Sequence, residues 1–273
     1  MDIKAFKMDG LGNDFVIIDQ RIKNIELSKN QIIKICNRNF IGCDQLIIIK
    51  KNRKLAAGLE FYNSDGSLSG ACGNGTRCVA KLLSKENNKN EITVWTSSGL
   101  LKSNILGDIV ETEIGIPKTN WNEIPLSKNL DTKDLKIEIV DKNKNKHVGG
   151  TAVNVGNPHI IFFVNNIESF DLKNIGPEIE NHELFPEKCN VTLAKVFDRN
   201  LIKVKVWERG AGSTKACGTA ACATAFAGIL NNLTKNNMDI EFETGKLSIF
   251  VDEKNSIHMK GPVSDIKEIS IEL

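Results

Sequence analysis

The 273-residue sequence predicts an α/β protein made of two pseudo-symmetric domains, and three observations carry this prediction. A cysteine motif, Ala71-Cys72-Gly73, recurs as Ala216-Cys217-Gly218 at an offset of 217 − 72 = 145 residues. Runs of β-branched and apolar residues that are typical of short strands fill both halves. In each half, a stretch rich in small residues follows the repeated cysteine and predicts a buried central helix.

The offset of the cysteine motif recurs at other positions. The matched pairs are Gly12-Asn13-Asp14-Phe15 with Gly156-Asn157-Pro158-His159 (156 − 12 = 144), Gln45 with Asn190 (190 − 45 = 145), Asn63 with Glu208 (208 − 63 = 145) and Gly99 with Gly245 (245 − 99 = 146). Five points in nearly constant register indicate a duplicated unit. We therefore predict an N-terminal domain of residues 1–117 with 263–273 and a C-terminal domain of residues 118–262, which begins at a linker from Pro117 to Pro125.

The elements of the first copy follow from its local patterns. Ser28 can cap a helix that runs through Cys36, because apolar residues recur on one face of that segment. Gly73-Asn74-Gly75 opens a second helix over residues 76–83. Predicted strands cover residues 15–19, 45–50, 59–62, 92–96, 100–105 and 110–116.

The second copy repeats this order. A helix of Ala, Gly and Thr residues is predicted from about Cys217 to Leu230, and Asp198-Arg199-Asn200 turns a hairpin. Predicted strands cover residues 151–155, 160–164, 191–197, 201–207, 240–243 and 247–251, with one more at 266–271 after a break at Gly261-Pro262.

Charge and composition narrow the function classes. Lys and Arg number 36 against 34 Asp and Glu, a net charge of +2, and the charges are scattered along the chain. Such a balance gives no electrostatic footprint for nucleic acid or a membrane surface, so neither is predicted as a partner. The N-terminal residues do not resemble a signal peptide, and an odd count of seven cysteines favours free thiols in a reducing cytoplasm.

The two repeated cysteines carry the predicted chemistry. Cys72 and Cys217 each stand directly before a predicted helix, where unpaired N–H groups and the helix dipole favour a thiolate. The same donors can hold a carboxylate, and Gly73 and Gly218 allow the backbone to approach a ligand closely. A thiol beside a carboxylate pocket is suited to act as a base at the Cα of an amino acid.

Two such thiols can invert a stereocentre if they face opposite sides of one carbon. One cysteine takes the Cα proton as a thiolate, and the other returns a proton as a thiol. N–H groups around the carboxylate stabilise the carbanion that develops between these steps, as in an oxyanion hole. A single base on one face would mostly restore the starting enantiomer.

The other cysteines are interpreted as small apolar core residues. They are Cys36, Cys43, Cys78, Cys189 and Cys222. A zinc site built from the repeated cysteines with Cys78 and Cys222 is disfavoured, because the Cys-x5-Cys and Cys-x4-Cys spacings are poor matches to the tighter pairs of structural zinc sites. No metal and no cofactor is predicted.

Seven segments of the chain together resemble the diaminopimelate epimerase family, the cofactor-independent amino-acid epimerases of bacterial lysine and cell-wall synthesis. The segments are Gly10-Leu11-Gly12-Asn13-Asp14-Phe15, Gly42-Cys43-Asp44-Gln45-Leu46, Asn63-Ser64-Asp65-Gly66-Ser67, Cys72-Gly73-Asn74-Gly75-Thr76-Arg77-Cys78, Gly156-Asn157-Pro158-His159, Trp207-Glu208-Arg209-Gly210-Ala211-Gly212 and Ala216-Cys217-Gly218-Thr219. The likeness covers essentially the whole chain. It implies that each domain is a β-barrel-like sheet around a central helix, that the active site lies in the interdomain cleft, and that the protein forms a homodimer.

The resemblance also implies roles for individual residues in the interconversion of LL- and meso-2,6-diaminopimelate. Cys72 and Cys217 would transfer the protons, and His159 and Glu208 would tune the pKa values of these thiols. The groups at the reacting centre would be held by Asn63, Gly73, Asn74, Glu208, Gly218 and Thr219. The far end of the substrate would be held by Asn13, Asn157, Asn190 and Arg209, with Gln45 near the cleft.

Some positions depart from the family pattern without removing a proposed catalytic group. Ser213 stands where glutamate is common, Ala220 replaces a usual glycine, and Thr192-Leu193 replace the expected Glu-Phe. These changes bear on loop closure and on packing at the end of the substrate.

Two other functions stay open. One is a two-cysteine racemase of another amino acid, such as a proline racemase, which is disfavoured because the chain retains groups suited to a second amino-acid head. The other is a ligand-binding protein of the same fold without proton exchange, which is disfavoured because both cysteines are intact.

Overall fold

The computed structural model describes residues 2–70, 72–97 and 99–273, which form two compact units. Unit 1 contains the residues up to Glu113 together with Lys260–Leu273, and unit 2 is Ile114–Met259. The domain boundaries predicted after residues 117 and 262 stay a prediction. No helix within the described residues has both the length and the apolar character needed to span a bilayer.

Strands outnumber helices among the described residues. The first half contains β1 (Asp2–Gly10), β2 (Asn13–Asp19), α1 (Lys29–Cys36), β3 (Gln45–Lys50), β4 (Ala57–Asn63), β5 (Leu68–Ser69), α2 (Gly73–Asn87), β6 (Glu91–Thr96), β7 (Gly99–Leu106) and β8 (Ile109–Gly115). These elements are followed by β9 (Ile137–Val140), β10 (Lys146–Gly149), β11 (Thr151–Asn154), β12 (Pro158–Phe163), a 3-10 turn (Ile167–Ser169), α3 (Leu172–Glu180), β13 (Asn190–Asp198), β14 (Leu201–Glu208), β15 (Gly212–Thr214), α4 (Gly218–Leu230), β16 (Asn237–Phe242), β17 (Gly245–Val251), β18 (Ile257–Pro262) and β19 (Lys267–Glu272).

Both units have the same strand pairing, which confirms the predicted duplication. In unit 1, β1 pairs antiparallel with β2, β2 parallel with β3, and β3 antiparallel with β4. Strand β4 then pairs antiparallel with β5 and parallel with β6, which pairs antiparallel with β7. Strands β11 to β17 of unit 2 repeat this pattern pair by pair. The register repeats as well, since Phe15 lies opposite Gln45 and His159 lies opposite Asn190.

The long helices α2 and α4 are the buried central helices that the sequence predicts. Helix α2 begins at Gly73, earlier than predicted, and its C-cap Asn88 has the left-handed conformation that commonly ends a helix. Helix α4 begins at Gly218 and is buried along most of its length. Each helix packs on the strands of its own unit, so both cysteines stand where a helix enters a core.

A crossover helix connects the parallel strands in each unit. Helix α1 lies between β2 and β3 and is capped by Ser28, whose hydroxyl accepts the Gln31 N–H, as predicted. Helix α3 occupies the equivalent place between β12 and β13, but no helix is predicted there, because Gly176 and Pro177 are poor helix formers. The repeat offset applied to the start of α1 gives 29 + 145 = 174, close to the observed start of α3 at Leu172, so the duplication carried a signal for this helix that local patterns lack.

Two segments that the sequence predicts as a linker and a break lie in packed or regular structure instead. The sequence predicts a linker at residues 117–125, but Lys118 forms a β-bridge with Asn154 and Ile124 is fully buried in the core of unit 2. Burial of apolar side chains stabilises this packed path over an exposed linker. The break predicted at Gly261-Pro262 falls inside β18, whose last residue is the proline.

Gly75 lies where α2 packs on the sheet of unit 1, and its size is critical there. A Cβ at this position would stand 2.7 Å from Ile47 Cδ1 and 3.1 Å from Phe61 Cε1. We expect Gly75→Ala to lower the free energy of unfolding by about 1–3 kcal/mol, less a gain of roughly 0.5–1 kcal/mol from removing a helical glycine. Urea unfolding measures the change. Gly58→Ala is the matched control, because its new Cβ would lie 3.8 Å from the nearest atom, and equal losses in both variants would contradict the prediction.

Candidate active site

Cys72 and Cys217 occupy matching positions at the starts of α2 and α4. Each is the N-cap residue of its helix, with φ −138° and ψ 112° at Cys72 and φ −138° and ψ 116° at Cys217. The N–H groups of the first helical turn have no partner within the helix. The segments Gly73-Asn74 and Gly218-Thr219 can therefore direct N–H groups at a bound carboxylate.

Asn13 lies beside Cys72, and its amide is oriented by a carboxylate. Asn13 Nδ2 donates to Asp44 Oδ2 at 2.9 Å. Because a carboxylate only accepts, this contact determines which way the amide points. Asn13 Oδ1 therefore faces Cys72 Sγ at 3.7 Å and Asn74 Nδ2 at 3.4 Å. Arg38 in turn donates to Asp44 at 2.5 Å, which keeps the orienting carboxylate in place.

Gln45 and Asn63 are opposite each other on β3 and β4. Gln45 Nε2 donates to Asn63 Oδ1 at 2.9 Å, and Asn63 Nδ2 donates to Ser67 Oγ at 3.0 Å. Among the residues that the structure describes, the buried oxygens Gln45 Oε1 and Asn74 Oδ1 have no hydrogen-bond partner. Since a buried acceptor without a partner is costly, both oxygens are suited to receive the N–H groups of a ligand.

Burial and a neighbouring carboxylate keep Cys217 protonated. Cys217 is 5% exposed, and desolvation is the main cause that raises its pKa well above the usual value. Glu208 raises this pKa further through its charge and through a hydrogen bond with the thiol. The Thr219 hydroxyl, 3.4 Å from Sγ, and the Ala220 N–H act to lower the pKa. Desolvation and Glu208 therefore act against the thiolate that the sequence predicts at this helix start.

His159 is fully buried on β12 and is neutral at physiological pH. Its Nε2 lies 2.8 Å from Asn157 Oδ1, so Nε2 carries the ring proton. Burial, assisted by the charge of Arg209, lowers the pKa of His159 to about 3. Its Nδ1 is buried and has no partner within the described part of the chain. His159 can therefore act on a thiol or a substrate only as a neutral hydrogen-bonding group.

Asn190 anchors the turn that follows Glu208. Asn190 Oδ1 accepts the Arg209 N–H at 3.0 Å, and Asn190 Nδ2 donates to the Pro158 carbonyl at 2.9 Å. The Arg209 side chain is exposed, and its Nη1 donates to the Glu187 carbonyl at 2.9 Å. Its planar guanidinium carries further N–H groups that suit a carboxylate.

The buried His159 imidazole is expected to make stability depend on pH. Its folded-state pKa of about 3 lies below the usual 6.5, so between these values the unfolded chain binds a proton that the folded chain does not. The stability contributed by neutral His159 is therefore complete above pH 6.5 and falls as the pH drops, by up to about 1.4 kcal/mol per pH unit. We expect urea unfolding of His159→Gln to show a flatter decline from pH 6.5 to 5 than the wild type. Parallel declines would contradict this prediction.

The predicted site residues fall into two groups, one in each unit. Unit 1 carries Asn13, Gln45, Asn63, Cys72, Gly73 and Asn74, and unit 2 carries Asn157, His159, Asn190, Glu208, Arg209, Cys217, Gly218 and Thr219. Two acidic residues have no predicted role: Asp44, which contacts Asn13, and Glu180, which contacts Trp207 and Gly210 on either side of Glu208 and Arg209. Asp44 lies within a family-like motif, and Glu180 lies in α3, for which the repeat offset carried a signal. In the described ranges, no three His, Cys, Asp or Glu side chains gather as metal ligands would.

The fold is shared with solved proteins that include an epimerase. A hydroxyproline epimerase from Agrobacterium vitis matches with a TM-score of 0.71 and 10% sequence identity, over 99% of this chain and 91% of that chain. A phenazine biosynthesis protein of the PhzF family from Bacillus anthracis matches with a TM-score of 0.68 and 14% identity, over 100% of both chains. At these identities the likeness shows the fold alone, which is that of the PhzF and proline racemase-like class.

Sequence comparison over the whole chain identifies the family within this class. The sequence model of the family described as diaminopimelate epimerase matches residues 5–119 and 151–266. A diaminopimelate epimerase from Pelagibacter ubique strain HTCC1062 is 75% identical over 100% of both chains. The chain belongs to the diaminopimelate epimerase family, which confirms the predicted resemblance and makes it an isomerase. The alternative of a proline racemase-like enzyme is not favoured, because that likeness is confined to the fold.

Proposed function

We propose that the protein interconverts LL- and meso-2,6-diaminopimelate by proton transfer between two cysteines and one Cα. Membership of the family supports the substrate, and with it a place in the synthesis of lysine and peptidoglycan precursors. One observation carries the mechanism: Cys72 and Cys217 cap their helices with matching backbone conformations. The proposal requires the two units to present these thiols to opposite faces of one Cα.

In one direction, Cys72 is the base and Cys217 is the acid. The Cys72 thiolate takes the Cα proton and becomes a thiol, while the electron pair of the C–H bond stays on Cα. The Cys217 thiol then gives its proton to the opposite face of Cα and becomes a thiolate. The raised pKa of Cys217 supports this assignment, because the thiol must be protonated before it can donate. The reverse reaction exchanges the two roles.

The carbanion between these steps needs a preorganised electrostatic environment. Backbone N–H groups at the starts of α2 and α4 supply it around the substrate carboxylate. The free oxygens of Gln45 and Asn74 support binding of the substrate ammonium group. Because Asn13 lies 3.7 Å from Cys72, we propose that Asn13 acts at the reacting centre rather than at the far end, where the resemblance places it. The other assignments are those that the resemblance implies: Asn63, Glu208, Gly218 and Thr219 at the reacting centre, Asn157, Asn190 and Arg209 at the far end, and His159 beside a thiol.

Incubation with each diaminopimelate isomer in D2O tests the proposal. We expect the purified chain, without added cofactor, to interconvert the isomers and to place deuterium at Cα. Exchange at the Cα of proline instead would support the racemase alternative. No exchange with either substrate would support a binding protein.

Finer features of the proposal rest on the sequence and the resemblance. We infer that the enzyme works in the cytoplasm as a homodimer, without a metal or a cofactor. Light scattering after gel filtration is expected to give twice the 30.2 kDa chain mass, and activity is expected to survive dialysis against EDTA. A particle of one chain, or a loss of activity that zinc restores, would contradict these features.

A further inference from the structure

Glu180 is a buried acidic residue that the proposed mechanism does not use. It is the last residue of α3 and is 6% exposed. Its Oε2 accepts the Trp207 Nε1–H at 2.7 Å, and its Oε1 accepts the Gly210 N–H at 3.0 Å. Lys188 Nζ approaches Oε1 at 3.9 Å. One buried carboxylate thus receives two hydrogen bonds from a single short segment of chain.

The two groups that Glu180 holds lie on either side of Glu208 and Arg209. Trp207 precedes this pair, and Gly210 follows it with φ +75° at a turn closed by the Ala211 N–H to the Glu208 carbonyl. Glu208 is the residue that raises the pKa of Cys217. Freedom at both ends of the pair would therefore move the carboxylate whose charge adds to desolvation in raising the pKa of the thiol.

Helix α3 is shaped to receive Trp207. A Cβ at Gly176 would stand 2.4 Å from the Trp207 ring, so only glycine leaves room for the indole at this point of the helix. Glycine at position 176 lowers the helix propensity of α3, but it allows the helix to contact Trp207, which donates to Glu180. The Trp207 side chain therefore packs on α3 at Gly176 and donates a hydrogen bond to Glu180 at the end of the same helix.

The equivalent positions of unit 1 lack this arrangement. Subtracting the offset gives 180 − 145 = 35 and 207 − 145 = 62, which are the buried Ile35 and the partly buried Tyr62. Ile35 has no side-chain acceptor, and the Tyr62 hydroxyl donates to Glu60 instead. The two hydrogen bonds to a buried carboxylate therefore occur in the copy that carries the acidic Glu208 and not in the copy that carries the neutral Asn63.

We propose that Glu180 is a positioning residue that holds Glu208 against Cys217 and presents Arg209 to the substrate, through its hydrogen bonds to Trp207 and Gly210. The inference rests on the proposed function for its effect on substrate. Its effect on the thiol is independent of that function, since the geometry lies within unit 2 alone.

The test compares Glu180→Gln with the wild type by two measurements. The first is the pH dependence of iodoacetamide labelling at Cys217, followed by peptide mass spectrometry, which reports the thiol without any turnover. The second is the KM and kcat of epimerisation. Glutamine preserves size but offers an acceptor to only one of the two donors. Glu178→Gln is the matched control, because Glu178 lies on the same helix outside this contact and loses the same charge.

We expect the labelling midpoint of Cys217 in Glu180→Gln to move to lower pH and kcat/KM to fall by about tenfold to a hundredfold, mainly through KM. Glu178→Gln is expected to match the wild type in the labelling midpoint and in kcat/KM.

A folded Glu180→Gln with the wild-type midpoint and KM, and only a lowered melting temperature, would overturn the proposal. If Glu180→Gln does not fold, Trp207→Phe decides, because it removes one donor and leaves Glu180 in place; an unchanged midpoint there would overturn the proposal equally. A shifted midpoint in a chain without epimerase activity would support the positioning role while rejecting the proposed function.

Discussion

Replacing either Cys72 or Cys217 with alanine is expected to lower kcat by about 10²–10⁴-fold in both directions, because each direction needs a base and an acid. Chiral chromatography of LL- and meso-diaminopimelate measures the loss. Proton exchange in D2O is expected to be more selective. Each variant keeps one thiol on one face, so it can exchange the Cα proton of one stereoisomer without inverting that centre. We expect the two variants to exchange opposite stereoisomers.

Cys222→Ala is the matched control for this pair. Cys222 is buried in α4, the helix that Cys217 caps, and the substitution is chemically the same. We expect this variant to retain activity close to that of the wild type. Near-normal epimerisation by the Cys72 or the Cys217 variant would reject the two-thiol mechanism.

Glu208→Gln is expected to lower kcat by about 10²-fold or more and to change the pH profile. Glutamine preserves the size of the side chain but removes the charge that helps to raise the pKa of Cys217. The thiol is a proton donor only below its pKa. A lower pKa therefore moves the basic limb of the profile to lower pH, in the direction in which Cys217 is the acid. Initial rates from about pH 6 to about pH 10 with each isomer measure this shift.

Glu243→Gln controls for the loss of one negative charge in unit 2, because Glu243 is exposed. We expect its pH profile to overlay that of the wild type. An unchanged basic limb in Glu208→Gln would contradict the prediction that the charge of Glu208 helps to raise the pKa of Cys217.

Much of the fold could be predicted because it rests on short-range patterns. The strand at residues 45–50 has its predicted bounds, and Ser28 caps α1 as predicted. Alternation and capping involve residues only a few positions apart, so they are visible in the chain itself. The five cysteines interpreted as core residues are also buried, in agreement with their apolar surroundings.

Helix α3 is an element that such local patterns do not predict. Its Gly176 lowers helix propensity, yet the helix forms, and the Trp207 ring occupies the space that a side chain at this position would take. Trp207 is 207 − 176 = 31 residues away, so no local pattern connects the two. The packing of residues 117–125 also depends on contacts between distant residues, because the core that buries Ile124 is built largely from later segments.

The sequence by itself determined the duplicated architecture, the two cysteines at helix starts and the family. Only the tertiary structure decided the protonation of the site, with Cys217 held as a thiol and His159 held neutral. It also decided that Asp44 orients Asn13 and that Glu180 accepts hydrogen bonds from the residues on either side of Glu208 and Arg209. The physical reason is that a pKa and a side-chain orientation depend on desolvation and on charges from distant segments, which become neighbours only in the folded chain.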